Sequence, residues 1–212
     1  MEASFWHQKW ATNDINFHQS KTNPLLLKYF DALHCGNNSR IFVPLCGKSL
    51  DVSWLLSNGH RVAGVELSEL AVGQLFANLE LDPCVDDIGG LRRYTAPNLE
   101  VFVGNIFDLS RDLLGPVAAT YDRAALVALP AAVRARYAAQ LRAITNDAPQ
   151  LLICFEYDQS VLAGPPFSVT GDEVKRCHGG GYRLTRLAGV NVPGGLKGKC
   201  AASEVVWLLQ NA

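Results

Sequence analysis

Apolar and polar positions fall into blocks along this chain, and the blocks predict strands and helices in turn. Ile41-Phe42-Val43 is a short apolar run, and Pro44-Leu45-Cys46-Gly47 turns the chain. Val52, Trp54, Leu55 and Leu56 then recur at helical spacing, Asn58-Gly59 stops the helix, and Val62-Ala63-Gly64-Val65 leads into Glu66. The pattern is strand, turn, helix, strand: the first βαβ unit of a nucleotide-binding sheet. Upstream, Pro24 opens a helix over 25–33 with Leu26, Tyr29, Phe30 and Leu33 on one side. Downstream, Ser68 caps a helix carrying Ala71, Val72, Leu75, Phe76 and Leu79. Strands are expected at 99–103 and 118–121, a long helix at 131–145 after Pro130, and a strand buried on both faces at 150–156. Thr170 and Glu173 form a capping box for a short helix reaching Cys177. Two strands, 182–187 and 204–209, close the chain, joined by the glycine- and lysine-rich stretch 189–199. Stretch 81–97 is broken by Pro83, Asp86-Asp87 and Gly89-Gly90, and reads as a solvated surface loop ahead of a substrate contact.

The chemistry concentrates where the strands end, because an open parallel sheet binds ligands beyond its carboxyl edge. Gly47 lets backbone approach a ligand without a Cβ. Glu66 stands 19 residues beyond Gly47, close to the roughly 20-residue offset at which an acid holds a ribose. Gly47-Lys48-Ser49 ends like a P-loop, but Phe42 stands where that motif needs its first glycine. The three-glycine dinucleotide fingerprint is also missing, which disfavours a pyrophosphate and favours a nucleoside such as S-adenosylmethionine. The bland alternative is a structural turn followed by a surface glutamate. Asn105 and Ile106 follow the third strand, where an adenine meets an apolar wall and a polar edge. Asp122-Arg123 follow the fourth and read equally as a local ion pair or as an Arg123 contact to cofactor or substrate. In the N-terminal stretch, Trp6, Trp10 and Phe17 either cap the core, the preferred reading, or fold over a pocket as a lid. An aromatic face suits a sulfonium cation, by roughly 0.5–2 kcal/mol.

Composition narrows the class. With 212 residues and 49% hydrophobic content, the chain is expected to form one α/β domain. A net charge of −1 gives no reason to expect nucleic acid or an anionic membrane as partner. No apolar run reaches the length of a membrane span, and 1–20 lacks a signal-peptide core. Six cysteines without a C-x-x-C pair suggest reduced thiols in a cytoplasmic protein. The histidines do not cluster with them, so no metal is expected.

The succession of helix, five βα-like units and a terminal strand pair resembles the class I S-adenosylmethionine-dependent methyltransferases. More specifically, the chain resembles the bacterial form of the thiopurine S-methyltransferase family from about Phe5 to Leu209. Trp6-x3-Trp10, Phe42-Val43-Pro44-Leu45-Cys46-Gly47-Lys48, Gly64-Val65-Glu66-Leu67-Ser68, Ile106-Phe107-Asp108, Asp122 to Ala128 and Gly164-Pro165-Pro166-Phe167 carry the likeness. The resemblance implies a Rossmann-like α/β fold with a seven-stranded, mostly parallel sheet, helices on both faces and an antiparallel last strand. It implies one domain over 1–212, with 1–35 an aromatic lid segment and helix and 36–212 the core. S-adenosyl-L-methionine would be held by Trp10, Leu45, Gly47, Glu66, Asn105, Ile106 and Arg123, leaving as S-adenosyl-L-homocysteine. The expected partner is a small-molecule thiol or a selenium or tellurium species, and the expected state a monomer. No nucleophile–base pair is evident, so catalysis is expected to rest on positioning, with Asp14, His18 and Arg123 as candidates to orient the acceptor. Two rivals remain: an NAD-dependent oxidoreductase, which should have a glycine-richer first turn, and a non-catalytic nucleoside-binding protein.

Overall fold

The structure, a computed structural model, describes residues 3–211; the outermost residues of the expected 1–212 domain lie outside it. In chain order the elements are α1 (Ala3–Ala11), α2 (Pro24–Tyr29), β1 (Arg40–Pro44), α3 (Leu50–Ser57), β2 (Arg61–Glu66), α4 (Glu69–Asn78), β3 (Cys84–Ile88), β4 (Leu91–Ala96), β5 (Leu99–Val103), α5 (Arg111–Leu114), β6 (Ala119–Arg123), α6 (Ala131–Thr145), β7 (Gln150–Tyr157), α7 (Gly171–His178), β8 (Tyr182–Asn191) and β9 (Ala202–Asn211). The expected helix over 25–33 is α2 followed by a tighter turn at Phe30–Leu33.

The strands form one sheet in the order β3-β4-β5-β2-β1-β6-β7-β9-β8. Its centre, β5-β2-β1-β6-β7, is parallel, and β9 runs antiparallel between β7 and β8. The class I layout is therefore present, but the sheet has nine strands rather than the expected seven. The extra pair is stretch 81–97, which is a hairpin and not a loop. Gly89 (φ 58°) and Gly90 (φ 85°) make the tight turn, as consecutive positive φ values favour in a hairpin. β4 then pairs antiparallel with β5. The alternation was hidden because β3 is an edge strand exposed along nearly all its length, so neither face needs apolar residues. Leu91 is the exception: it is buried and fills the space that a side chain at Gly104 would take. The stretch 189–199 is likewise shorter as a connection than expected, since Gly189, Val190 and Asn191 complete the ladder of β8 with β9.

Each face of the sheet has its own core. Phe42, Phe102, Tyr137, Leu141, Val174 and Trp207 fill the side under α6 and α7. Leu26, Phe30, Val52, Leu55, Leu75 and Tyr121 fill the side under α2, α3 and α4. On the second side a buried carboxylate joins three elements. Asp51, in the first turn of α3, accepts hydrogen bonds from the Asn23 backbone N–H at 2.7 Å and the Tyr121 hydroxyl at 3.0 Å. Asn23 in turn caps α2 by accepting from Leu25 N–H at 2.8 Å. The N-terminal segment is thus pinned to β6 through one side chain. Among the described residues no helix is long and apolar enough to cross a membrane.

Two buried titratable groups on the α6–α7 side have opposite effects. His178 is fully buried with neither ring nitrogen hydrogen-bonded, and burial, then the Arg142 charge, pulls its pKa down to about 4. Asp122 is pushed up to about 6 by burial, although Tyr137 OH and Leu126 N–H donate to it at 2.8 and 3.1 Å. Between its ordinary 6.5 and about 4, His178 is protonated only in the unfolded chain, so stability falls as pH drops through that window. Asp122 takes up its proton first in the fold, so below about pH 6 it works the other way.

Two outcomes are expected. Asp51→Ala, which strands a backbone N–H and a buried tyrosine hydroxyl, should lower the unfolding free energy in urea by about 2–4 kcal/mol. His178→Leu should lose ~2 kcal/mol less than the parent between pH 7.5 and 5 in the same titration; parallel losses would show that His178 titrates normally.

Candidate active site

β1 and β2 deliver two turns to the carboxyl edge, and one side chain locks them together. After Pro44 the chain reverses through Leu45 (φ 49°) and Gly47 (φ 51°). Between them Cys46 N–H donates to Val65 O at 3.1 Å, and its sulfur lies 2.9 Å from where a Cβ on Gly64 would be. That close approach explains a glycine in the middle of an otherwise apolar strand. Burial, reinforced by the Glu66 charge, raises the Cys46 thiol well above its ordinary pKa, which makes it a packing group rather than a nucleophile.

Glu66 ends β2 and is buried. One carboxylate oxygen accepts from Gly47 N–H at 2.9 Å and the other from Ser68 N–H at 2.9 Å. Burial raises its pKa, while the amides of Ser68, Gly47 and Leu67 pull it back. A carboxylate offers roughly four acceptor positions, so about two remain for a pair of vicinal hydroxyls. Ser68 meanwhile caps α4 through Ala71 N–H at 3.3 Å. The third turn joins the same frame, because Gly104 N–H donates to Glu66 O at 2.9 Å. Beyond it, Ile106 is buried, and Gln140 on α6 holds its carbonyl at 2.9 Å. Asn105 is exposed, and its side-chain oxygen accepts from Phe107 N–H at 3.1 Å. Its side-chain N–H groups make no hydrogen bond among the described residues.

The aromatic N-terminal stretch reaches this frame. Trp10 on α1 is 5% exposed, and its ring lies 3.0 Å from the position of a Cβ on Gly47. Phe17 packs edge-on against Trp10 at 5.5 Å and against Trp6 at 5.7 Å between ring centroids. Trp10 therefore covers the first turn as well as being a buried residue. Two open cavities lie away from that turn. One of about 350 Å³ sits beyond β7, lined by Glu156, Asn191 and Ser203 among others. The other, about 460 Å³, is lined by residues between Arg111 and Pro149, at the amino ends of the strands.

At the end of β6, Asp122 and Arg123 part company. Asp122 is buried with Tyr137, whereas Arg123 is half-buried, because successive strand residues point to opposite faces. Of the two even readings of this pair, the local ion pair does not form: the arginine ion pairs of the described residues are made by Arg40, Arg92, Arg93, Arg134, Arg142 and Arg176. Burial first, then the Lys48 and Arg123 charges, lowers the pKa of His18, with Asp51 acting against them. Asp14 is tied to Lys9 at the surface. The loop Gly164–Phe167 is held down by Phe167 N–H donating to Val127 O at 2.6 Å and Tyr157 OH donating to Pro166 O at 2.7 Å. Buried Arg134 backs it with a guanidinium 5.5 Å from the Phe167 ring, anchored by Glu173 at 2.6 Å.

Trp10, Leu45, Gly47 and Glu66 thus come together directly, with Asn105 and Ile106 on the next turn and Arg123 at the end of β6, the strand on the other side of β1. Sequence reasoning missed Asp51, Arg134 and Glu204. A signal existed only for Glu204, a lone charge before the apolar run Val205 to Leu209.

Comparisons with known proteins agree with this geometry. The sequence model described as thiopurine S-methyltransferase (TPMT) matches residues 1–209. A thiopurine S-methyltransferase of Xanthobacter autotrophicus is 54% identical over 213 residues, with 100% of each chain covered. One of Teredinibacter turnerae is 52% identical, covering 99% of this chain and 97% of its own. Among solved structures, magnesium protoporphyrin IX methyltransferase from Synechocystis PCC 6803, with bound S-adenosylhomocysteine, superimposes with a TM-score of 0.68 at 11% identity, covering 99% of both chains. A Burkholderia thailandensis 1,6-didemethyltoxoflavin-N1-methyltransferase gives 0.65 at 15% identity, covering 99% of this chain and 87% of its own. These structures share the fold, and the sequence relatives share the whole length. The chain belongs to the thiopurine S-methyltransferase family.

Proposed function

We propose that this protein transfers a methyl group from S-adenosyl-L-methionine to the sulfur of an aromatic or heterocyclic thiol, with thiopurines such as 6-mercaptopurine as acceptors. The observation that carries this reading is the Glu66 carboxylate, buried yet clamped by the Gly47 and Ser68 amides with acceptor positions to spare. That donor set fits a ribose with both hydroxyls free. Trp10, Leu45 and Gly47 would contact the methionine half, Glu66 the ribose, Asn105 and Ile106 the adenine, and Arg123 the edge shared with the acceptor. S-adenosyl-L-methionine supplies an already activated methyl on a sulfonium. The chain's own residues therefore have to align the acceptor and exclude water, a contribution equivalent to effective molarities of about 10⁵–10⁸ M. Arg123 and Lys48 bring positive charge to the His18 side of this edge, and a nearby cation favours a thiolate over a thiol. We infer one methyltransferase domain over 1–212, in which 1–35 is the lid segment and helix and 36–212 the core. Trp10 over Gly47 and the Asp51 link to Asn23 support that division. The described cysteines are all free, which supports a reducing, cytoplasmic setting.

Purified protein incubated with methyl-labelled S-adenosyl-L-methionine and 6-mercaptopurine should place label on the thiopurine. Label on no thiol, with S-adenosyl-L-homocysteine still bound, would keep the cofactor site and overturn the acceptor. Glu66→Gln should weaken S-adenosyl-L-homocysteine binding in calorimetry by ~1.5–3 kcal/mol, the worth of a hydrogen bond to a charged group. Unchanged affinity would remove Glu66 from the ribose.

A further inference from the structure

We propose that Glu204 is a catalytic residue: it accepts the proton from a ring N–H adjacent to the acceptor's C=S group as the sulfur is methylated. The proposal rests on the S-methyltransferase reading of this site and adds to it a requirement on the acceptor, a heterocyclic thione with a neighbouring N–H.

The geometry comes from the strand ladders. Arg123 is in register with Ile153, and Ile153 with Val206. Glu204 lies two residues from Val206 along β9, so its side chain projects from the same face as Arg123. Both stand at the carboxyl edge of the parallel strands, separated by β7, on the side where Asp51 and Asn23 pin the N-terminal segment. One oxygen of Glu204 is buried without a hydrogen-bond partner. Arg123 has no ion pair among the described residues, yet its charge is felt at Glu204, as is that of Asp51 from α3, and the Asn23 side-chain amide donates to the carboxylate, leaving the other oxygen open. His18 lies near Arg123 and Asp51.

A buried acceptor without a donor is costly and is rarely left so without a ligand. Here a carboxylate oxygen without a partner and an arginine without an ion pair among the described residues project from the same face of the sheet, on strands separated by β7. A group placed between them must accept from Arg123 and donate to Glu204. A thioamide edge does both, its sulfur or outer nitrogen accepting and its N–H donating; a simple aryl thiolate only accepts.

The proton balance follows. The acceptor sulfur forms its bond to the methyl carbon as the carbon–sulfonium bond breaks, and that bond's electron pair stays on the departing sulfur. The methylated ring would be a cation unless it loses its N–H proton. That proton passes to Glu204, its electron pair closes the ring C=N bond, and Glu204 later returns the proton to solvent. A carboxylate is basic enough because the N–H becomes strongly acidic only as the methyl arrives.

The test compares two acceptors in the parent, Glu204→Gln and Glu204→Asp. 6-Mercaptopurine carries the N–H; 4-nitrothiophenol has none and is ionised at neutral pH. Glu204→Gln should cut kcat for 6-mercaptopurine by about 10²-fold, the usual worth of general-base assistance, and change 4-nitrothiophenol turnover by no more than about threefold. Calorimetric affinity for 6-mercaptopurine in the presence of S-adenosyl-L-homocysteine should fall about tenfold, with S-adenosyl-L-homocysteine binding itself unchanged. Glu204→Asp, which keeps the carboxylate, should recover much of the 6-mercaptopurine rate. Equal loss on both acceptors, or no loss on either, would overturn the role of Glu204 alone. A parent protein that methylates neither acceptor would overturn the S-methyltransferase reading and this proposal with it.

Discussion

Everything at the carboxyl edge depends on one buried carboxylate holding two turns. Glu66 joins the Gly47 amide of the first turn to the Ser68 amide of the second, and its own carbonyl receives the Gly104 amide of the third. Three strand ends are thereby fixed relative to one another before any ligand arrives. A carboxylate buried in this way is stabilised only by such donors. The hydrogen bonds that stabilise the Glu66 carboxylate are thus the same ones that hold the turns together, so the carboxyl edge is a prearranged surface.

A second constraint couples the N-terminal segment to that surface. Asp51 receives the Asn23 backbone and the Tyr121 hydroxyl, so the chain entering α2 is tied to the strand that ends in Arg123. Further out, Trp10 packs on Gly47 with Phe17 at its edge. The absent side chain of Gly47 therefore serves the indole contact as well as the positive φ. These are contacts between segments distant in sequence, and together they place aromatic surface over a site built for a cationic, nucleoside-bearing ligand.

Charge is sorted by face. Asp122 goes to the α6–α7 side, where Tyr137 donates to it, and Arg123 goes to the opposite side with Glu204. A local ion pair between neighbours would have cancelled both charges. The pleat instead leaves Arg123 at the carboxyl edge without an ion pair among the described residues. The Gly164–Phe167 loop borders the same edge and is kept in place by backbone contacts to Val127 and by Arg134 behind it, so its position is set by the scaffold.

Local signals determined much of this. Apolar runs, Asn and Ser caps, and turn residues were enough for most of the elements, the parallel centre of the sheet and the placing of Leu45, Gly47, Glu66, Asn105 and Ile106 at its carboxyl edge, because strand and helix periods act over a few residues. They were not enough for α1, α5 or the β3–β4 pair. What else they could not settle depended on pairing across the sheet. The hairpin at 84–96 lacks the alternation of a half-buried strand, since only its neighbour β5 makes it a strand at all. The clamp on Glu66 and the Asp51 junction join residues 19 and 28 apart, and the placing of Arg123 and Glu204 on one face depends on the register of three strands. Sequence alone determined which residues reach the edge; tertiary structure decided which of them face one another, because a side chain's partner is set by strand register and not by its neighbours in the chain.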